Sequence, residues 1–285
     1  MVSLRATYRL LLFLVVNVIC LGIGTVLLFS YGRGTRSWLR TIARWERIWA
    51  ATLCRVVHLR VRVEGNPPKP AARKAGGVMV VSNHVSYVDV VALGSIYPGF
   101  FIAKRDVQDW PLLGPLARLG GTLFIERVSK RRGVGDVGKL TKALLAGRTM
   151  TGFPEGTSTD GSRMRPFKTA VFQAPVEAQC PVIPVAIRYV SVGTASDGAE
   201  ARRKVAWFGE ETFVPHLLQL LTCPYIEVRV SFGEPILPPH TDRRSLSAEA
   251  ERQVRALGNL PFMEVAKEPE EPDEPVIEDA GCGVG

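Results

Sequence analysis

The chain has 285 residues, 46% of them hydrophobic, which is enough apolar material for a packed core and excludes an intrinsically disordered protein. Its formal net charge is +9, but Glu264 to Gly285 holds eight acids against one base, while the first 60 residues hold nine arginines against one glutamate, Glu46. A basic body suits anionic lipid, nucleic acid or a phosphorylated substrate; five scattered cysteines with no C-x-x-C pair exclude a disulfide framework and a zinc site and point to reduced, cytosol-facing thiols.

In chain order, Leu10 to Ser30 is an uncharged apolar run whose helical length, roughly 30 Å, matches the hydrocarbon thickness of a bilayer. It exceeds the apolar core of a signal peptide and is read as a membrane anchor. Residues 36–57 follow as a second helix. Trp38, Ile42, Trp45, Trp49, Leu53 and Val56 form one stripe, and Arg36, Arg40, Arg44 and Arg47 form another. Tryptophans beside arginines after an apolar span suggest an interfacial helix on anionic lipid. Arginines after the span also place the following domain on the cytoplasmic side. Residues 1–57 are thus expected to be membrane-anchoring helices, 58–260 one domain and 261–285 an acidic, proline-rich disordered tail.

Within the domain, strands are predicted at 59–65, 78–82, 100–103, 121–126, 149–154, 182–190, 204–209 and 225–233. Helices are predicted at 86–97, 109–119, 134–147, 168–179, 212–222 and 245–257. This alternation predicts an α/β fold with a mostly parallel central sheet flanked by helices. Pro184 inside its strand implies a bulge or an edge position. No helix-turn-helix, zinc finger or stacked-aromatic signature supports nucleic-acid binding.

The polar stretch Ser82–Asp89 leaves the apolar strand "VMVV" directly. On a straight helix His84 and Asp89 would point roughly 140° apart. They can meet if His84 lies in a turn and Asp89 in the first turn of the next helix. A histidine oriented by a carboxylate can then take a proton from a hydroxyl. Ser86 lacks the G-x-S-x-G context of a hydrolase nucleophile.

Four ordered blocks extend this reading. They are Asn83-His84-Val85-Ser86-Tyr87-Val88-Asp89, Gly121 to Arg127 ("GTLFIER"), Phe153 to Thr159 ("FPEGTST") and Val182 to Ile187 ("VIPVAI"). Together they resemble the motifs of the glycerolipid acyltransferase family, best known for 1-acylglycerol-3-phosphate acyltransferases, over about residues 55–235. The segment 103–114, with Lys104, resembles a further family block.

The resemblance implies transfer of an acyl chain from a thioester on CoA or acyl carrier protein to a lysophospholipid hydroxyl, forming phosphatidic acid, with no metal and no bound cofactor. It implies His84 as general base and Asp89 as its partner. Arg127, Glu155, Gly156, Thr157 and Lys104 would bind the acceptor, and the fourth block would be mainly structural. Many phosphatidic acid–forming members carry Arg after the Thr of the third block, where this chain has Ser158. The stretch 153–168 also resembles the acyltransferases that finish ornithine lipids, so lyso-ornithine lipid is the alternative acceptor, with Arg163, Arg165 and Lys168 as further cations. The non-enzymatic alternative is an inactive lipid-binding protein on the same scaffold, which the intact His84–Asp89 pair and Glu155-Gly156-Thr157 turn argue against.

Overall fold

A computed structural model describes residues 4–31, 35–68, 76–125, 130–195 and 197–261. The acidic tail, apart from Pro261, and Arg127 lie outside the described residues.

The polypeptide starts with α1 (Leu4–Tyr31) and α2 (Arg36–Val56), then β1 (Leu59–Glu64), β2 (Val78–Ser82), α3 (Val88–Ile96) and β3 (Phe100–Lys104). It continues through α4 (Leu113–Leu119), β4 (Leu123–Ile125), α5 (Lys130–Leu145), β5 (Thr149–Gly152), α6 (Gln173–Ala178) and β6 (Val182–Val192). It closes with α7 (Gly198–Val205), α8 (Phe213–Thr222), β7 (Ile226–Phe232) and α9 (Arg243–Gly258).

The strands form a sheet of order β1-β7-β6-β2-β5-β3-β4. It is parallel from β6 to β4, and β7 turns antiparallel to β6, carrying β1 with it. The sheet is covered on both faces, which explains the unbroken apolar run of β2. Met79 and Val81 pack towards α5, α6 and α9, through Leu144, Ala174 and Ala250. Val80 packs towards α3 and α7, through Leu93 and Val205.

This bears out the α/β expectation, with two differences in detail. Residues 204–209 are not a strand. Asp197 caps α7 by accepting from Ala199 N–H, and Lys204 and Val205 are its last residues. The apolar "VAWF" then belongs to a helix end and a turn, two elements that share one short hydrophobic run.

Pro184 sits in an inner strand, between β2 and β7. The register against the following chain slips by one residue between the Val182–Ile236 bridge and the Val185–Phe232 pair, so the missing N–H falls at a bulge.

The second difference concerns the helix pair. Trp38 and Trp45 are buried in the core, and Trp49 donates its indole N–H to Asn17 Oδ1 at 3.0 Å. The tryptophan stripe of α2 therefore packs against α1 and the domain rather than facing lipid. Arg40, Arg44 and Arg47 remain exposed.

The companion helix α1 is covered along one side. The buried Arg9 donates to the carbonyls of Leu221, in the last turn of α8, and Pro224, just after it, at 3.2 and 3.0 Å. Gly24 lies so close to α2 and α4 that a Cβ there would sit 3.1 Å from the Trp45 ring and 3.2 Å from Leu119. Its other side exposes Leu4, Leu11, Val18, Ile23, Val26 and Phe29, a continuous apolar stripe.

Candidate active site

Strand β2 ends at Ser82, and the next residue extends the sheet by side chain. Asn83 Nδ2 donates to Ile187 O at 3.0 Å, and its Oδ1 accepts from Ile187 N–H at 2.8 Å. That pairing fixes the chain's exit from the sheet and gives the fourth block a structural part. His84 comes next in the turn, and Asp89 lies in the first turn of α3, where a carboxylate also complements the helix dipole.

The two meet as the turn geometry requires: His84 Nδ1 lies 2.9 Å from Asp89 Oδ2. Asp89 is fully buried, and its carboxylate organises the turn around itself. Oδ2 accepts the N–H groups of Val85 and Ser86 at 2.7 and 3.0 Å, and Oδ1 accepts the Tyr189 hydroxyl at 2.6 Å. Burial, and secondarily the Asp89 charge, pushes the Tyr189 hydroxyl well above its usual pKa, so Tyr189 stays protonated and donates. With the carboxylate taking Nδ1–H, the basic nitrogen of His84 is Nε2. The imidazole, 20% exposed, stacks on Phe153 with ring centroids 4.1 Å apart and planes 17° apart. Ser86 is fully buried, so its hydroxyl is not presented as a nucleophile.

The third block arrives because β5 lies beside β2 with Val81 opposite Gly152, so both strands release their loops at one level of the carboxyl edge. Gly156 takes a left-handed conformation (φ +74°) that closes the turn onto Phe153 O. Glu155 was expected to face the acceptor, but its carboxylate points inward. Oε1 accepts His84 N–H and Oε2 accepts Arg165 N–H, both at 2.7 Å. It clamps the histidine turn to the following loop, because a buried carboxyl is stable only where donors meet it. Burial raises its pKa to about 8, and the two N–H bonds offset this only in part.

Thr157 is half-buried beside this turn, and Lys104 ends β3 at the same edge of the sheet, also half-buried. Strand β4 ends at Ile125 on that edge, two residues before Arg127. Ser158 donates its hydroxyl to Trp207 O, while Trp207 N–H donates to Val85 O at 3.0 Å. The backbone of Trp207 therefore ties the first and third blocks together, a role that sequence reasoning missed. Tyr189 was also missed, having been read only as part of a strand; an inward tyrosine in an otherwise apolar strand is the signal that could have found it. Among the described residues no three His, Cys, Asp or Glu side chains gather as metal ligands.

Beside the turn lies an apolar cavity of about 160 Å³ between α1, α2, α3, α4 and α8. Its lining includes Tyr87 and Val88 from the first block, Trp110 and Phe213. Tyr87 is held by a 3.0 Å contact from its hydroxyl to His216 Nδ1.

The arrangement is a proton acceptor held between a buried carboxylate and an aromatic ring, next to a hydrocarbon-lined space. The family model described as Acyltransferase matches residues 60–188. The lyso-ornithine lipid O-acyltransferase of Brucella abortus is 40% identical over 63% of this chain and 70% of that protein. The 1-acyl-sn-glycerol-3-phosphate acyltransferase of Neisseria meningitidis is 32% identical over 66% of this chain and 72% of its own length. In fold, the chain is similar to the crystal structure of the LPA acyltransferase PlsC from Thermotoga maritima, with a TM-score of 0.61 at 23% identity, over 89% of this chain and 95% of that one. With the motif blocks joined in space as described, the chain belongs to the glycerolipid acyltransferase family and is an acyl-transferring enzyme.

Proposed function

We propose that this enzyme transfers an acyl chain from an acyl-CoA or acyl carrier protein thioester to the hydroxyl of lyso-ornithine lipid. The observation that carries the chemistry is the His84 Nδ1–Asp89 Oδ2 pair, which leaves Nε2 to take the proton of the acceptor hydroxyl. As that proton leaves, the hydroxyl oxygen attacks the thioester carbonyl carbon, the C–S bond breaks and the thiolate departs. Asp89 stabilises the imidazolium, which then returns the proton to the thiolate. No protein nucleophile and no bound cofactor enter these steps.

The acceptor is argued from Ser158. Where phosphatidic acid–forming relatives of the resemblance carry arginine, this chain has a hydroxyl that turns away to the Trp207 carbonyl, so no guanidinium stands there for a phosphate. The name of the Brucella abortus relative, and that of a 35% identical relative from Rhizobium meliloti, support the same reading. Lysophosphatidic acid is the second reading, favoured by the half-buried Arg165 beside the Glu155 clamp and by the Neisseria relative. In either reading Lys104, Gly156 and Thr157 line the acceptor side, Arg127 is assigned to the acceptor by its motif alone, and the apolar cavity receives acyl chain.

The exposed stripe of α1 dips into one leaflet, a placement supported by the contacts that Arg9 and Gly24 make with the domain on its opposite side. Arg40, Arg44 and Arg47 meet anionic headgroups, with the domain on the cytoplasmic face. The test is product formation by the full-length protein in detergent or vesicles, offered both acceptors and both donors. His84-dependent ornithine lipid supports the proposal; His84-dependent phosphatidic acid alone replaces it with the second reading; thioester consumption unaffected by His84→Ala overturns both.

A further inference from the structure

Helix α2 carries a carboxyl group that the reaction above does not use. Glu46 is 6% exposed, and its Oε2 is fully buried with no hydrogen-bond partner among the described residues. It lines the apolar cavity together with Trp45, whose indole Nε1 is likewise buried and unpartnered. A Cβ placed on Gly120 would lie 3.5 Å from Glu46 Cδ, which sets the carboxyl against the turn that leads into the second block. Tyr97, its titratable neighbour, is already committed to Thr151 Oγ1 at 2.8 Å.

We propose that this cavity selects an acyl chain bearing a hydroxyl group, with the Glu46 carboxyl as the hydrogen-bond partner of that hydroxyl. The proposal deepens the acyl-transfer reading and rests on it for the identity of the chain as the one transferred. A plain hydrocarbon occupant would favour leucine or methionine at this position, because an unpartnered buried polar group is penalised and gives nothing back. Burial holds the Glu46 carboxyl well above the usual carboxylate range, hence neutral, so it offers one O–H donor and acceptor oxygens. An alcohol presents the same donor-and-acceptor pattern and needs no counter-charge. The remaining walls, among them Val90, Phe101, Leu116 and Leu220, suit the methylenes on either side.

The experiment uses the full-length protein and acyl-CoA esters of one chain length that differ only in where a single hydroxyl sits, each competed against the unsubstituted ester. In parallel, the corresponding free fatty acids are titrated against tryptophan fluorescence, since Trp45, Trp49 and Trp110 line the cavity. The expected result is a preference of about tenfold for one hydroxyl position, the order expected from the net gain of one hydrogen bond to a buried group. That ratio falls to near one in Glu46→Leu and survives in part in Glu46→Gln, whose amide can still bond an alcohol. The same ratios in wild type and Glu46→Leu across the series, in turnover and in binding, would overturn the proposal. A binding preference that disappears in Glu46→Leu while no donor is turned over would sustain the cavity's selectivity and remove the acyl-transfer reading instead.

Discussion

In the turn between β2 and α3, the buried carboxylate of Asp89 accepts from two backbone N–H groups, a tyrosine hydroxyl and the His84 imidazole. On α2, the equally buried carboxyl of Glu46 leaves Oε2 without any partner among the described residues. The Asp89 carboxylate is saturated, so the groups bonded to it hold one geometry and one tautomer. The second is unsaturated, so its polar group has capacity left for a ligand. Burial alone thus does not mark a functional carboxyl; what matters is how many of its bonds the protein already makes.

The strongest way to break the saturated side is His84→Ala, expected to cut turnover by about 10⁴-fold with the melting temperature little changed, read as product formation and a thermal melt. Asp89→Asn keeps the volume but presents an amide where Nδ1–H, two backbone N–H groups and a tyrosine need an anion. The expected loss is about 10³-fold in kcat, with a lower melting temperature. Tyr189→Phe removes one of the four bonds and leaves Oδ1 unmet, costing roughly 2 kcal/mol of stability and about tenfold in kcat.

Glu155 tests the comparison through pH. Its carboxyl is raised from 4.5 to about 8 by burial, so between those values the folded chain retains a proton that the unfolded chain has released. This group therefore stabilises the fold fully below pH 4.5, and that contribution is lost as pH rises towards 8, with a slope of at most about 1.4 kcal/mol per pH unit. Melting curves across this window should show the fall in wild type and a flatter profile in Glu155→Gln, which also loses one clamp bond to the His84 turn. The smallest effect, and the one opposite in sign, is expected for Glu46→Leu. Removing an unpartnered polar group from an apolar wall should raise stability by about 1 kcal/mol, seen as a higher melting temperature.

Much of the site was legible in the sequence because it is locally encoded. An apolar strand followed at once by Asn83, His84 and Asp89 implies a strand-turn-helix in which the two side chains can meet, and they do. The rest depends on strand order. Phe153 and Glu155 reach His84 because β5 is the neighbour of β2, and Tyr189 reaches Asp89 from 100 residues away because β6 is the neighbour on the other side. No window of sequence contains that order. The "VAWF" run was misread for a related reason. A short apolar segment has no period of its own, and the capping Asp197 lay outside the run that was being read.

By itself the sequence determined the α/β class, the pairing of histidine with aspartate and the two N-terminal helices, since each rests on periodicity, caps and spacing within a few turns. Only the tertiary structure decided what those helices face. A stripe of tryptophans has the same period whether protein or lipid covers it, and here the domain covers it while α1 turns its other side outward. The tertiary structure alone also gave Glu155 two backbone donors and left Glu46 Oε2 with none, because the partners of a buried carboxyl come from chain segments that sequence proximity does not reveal.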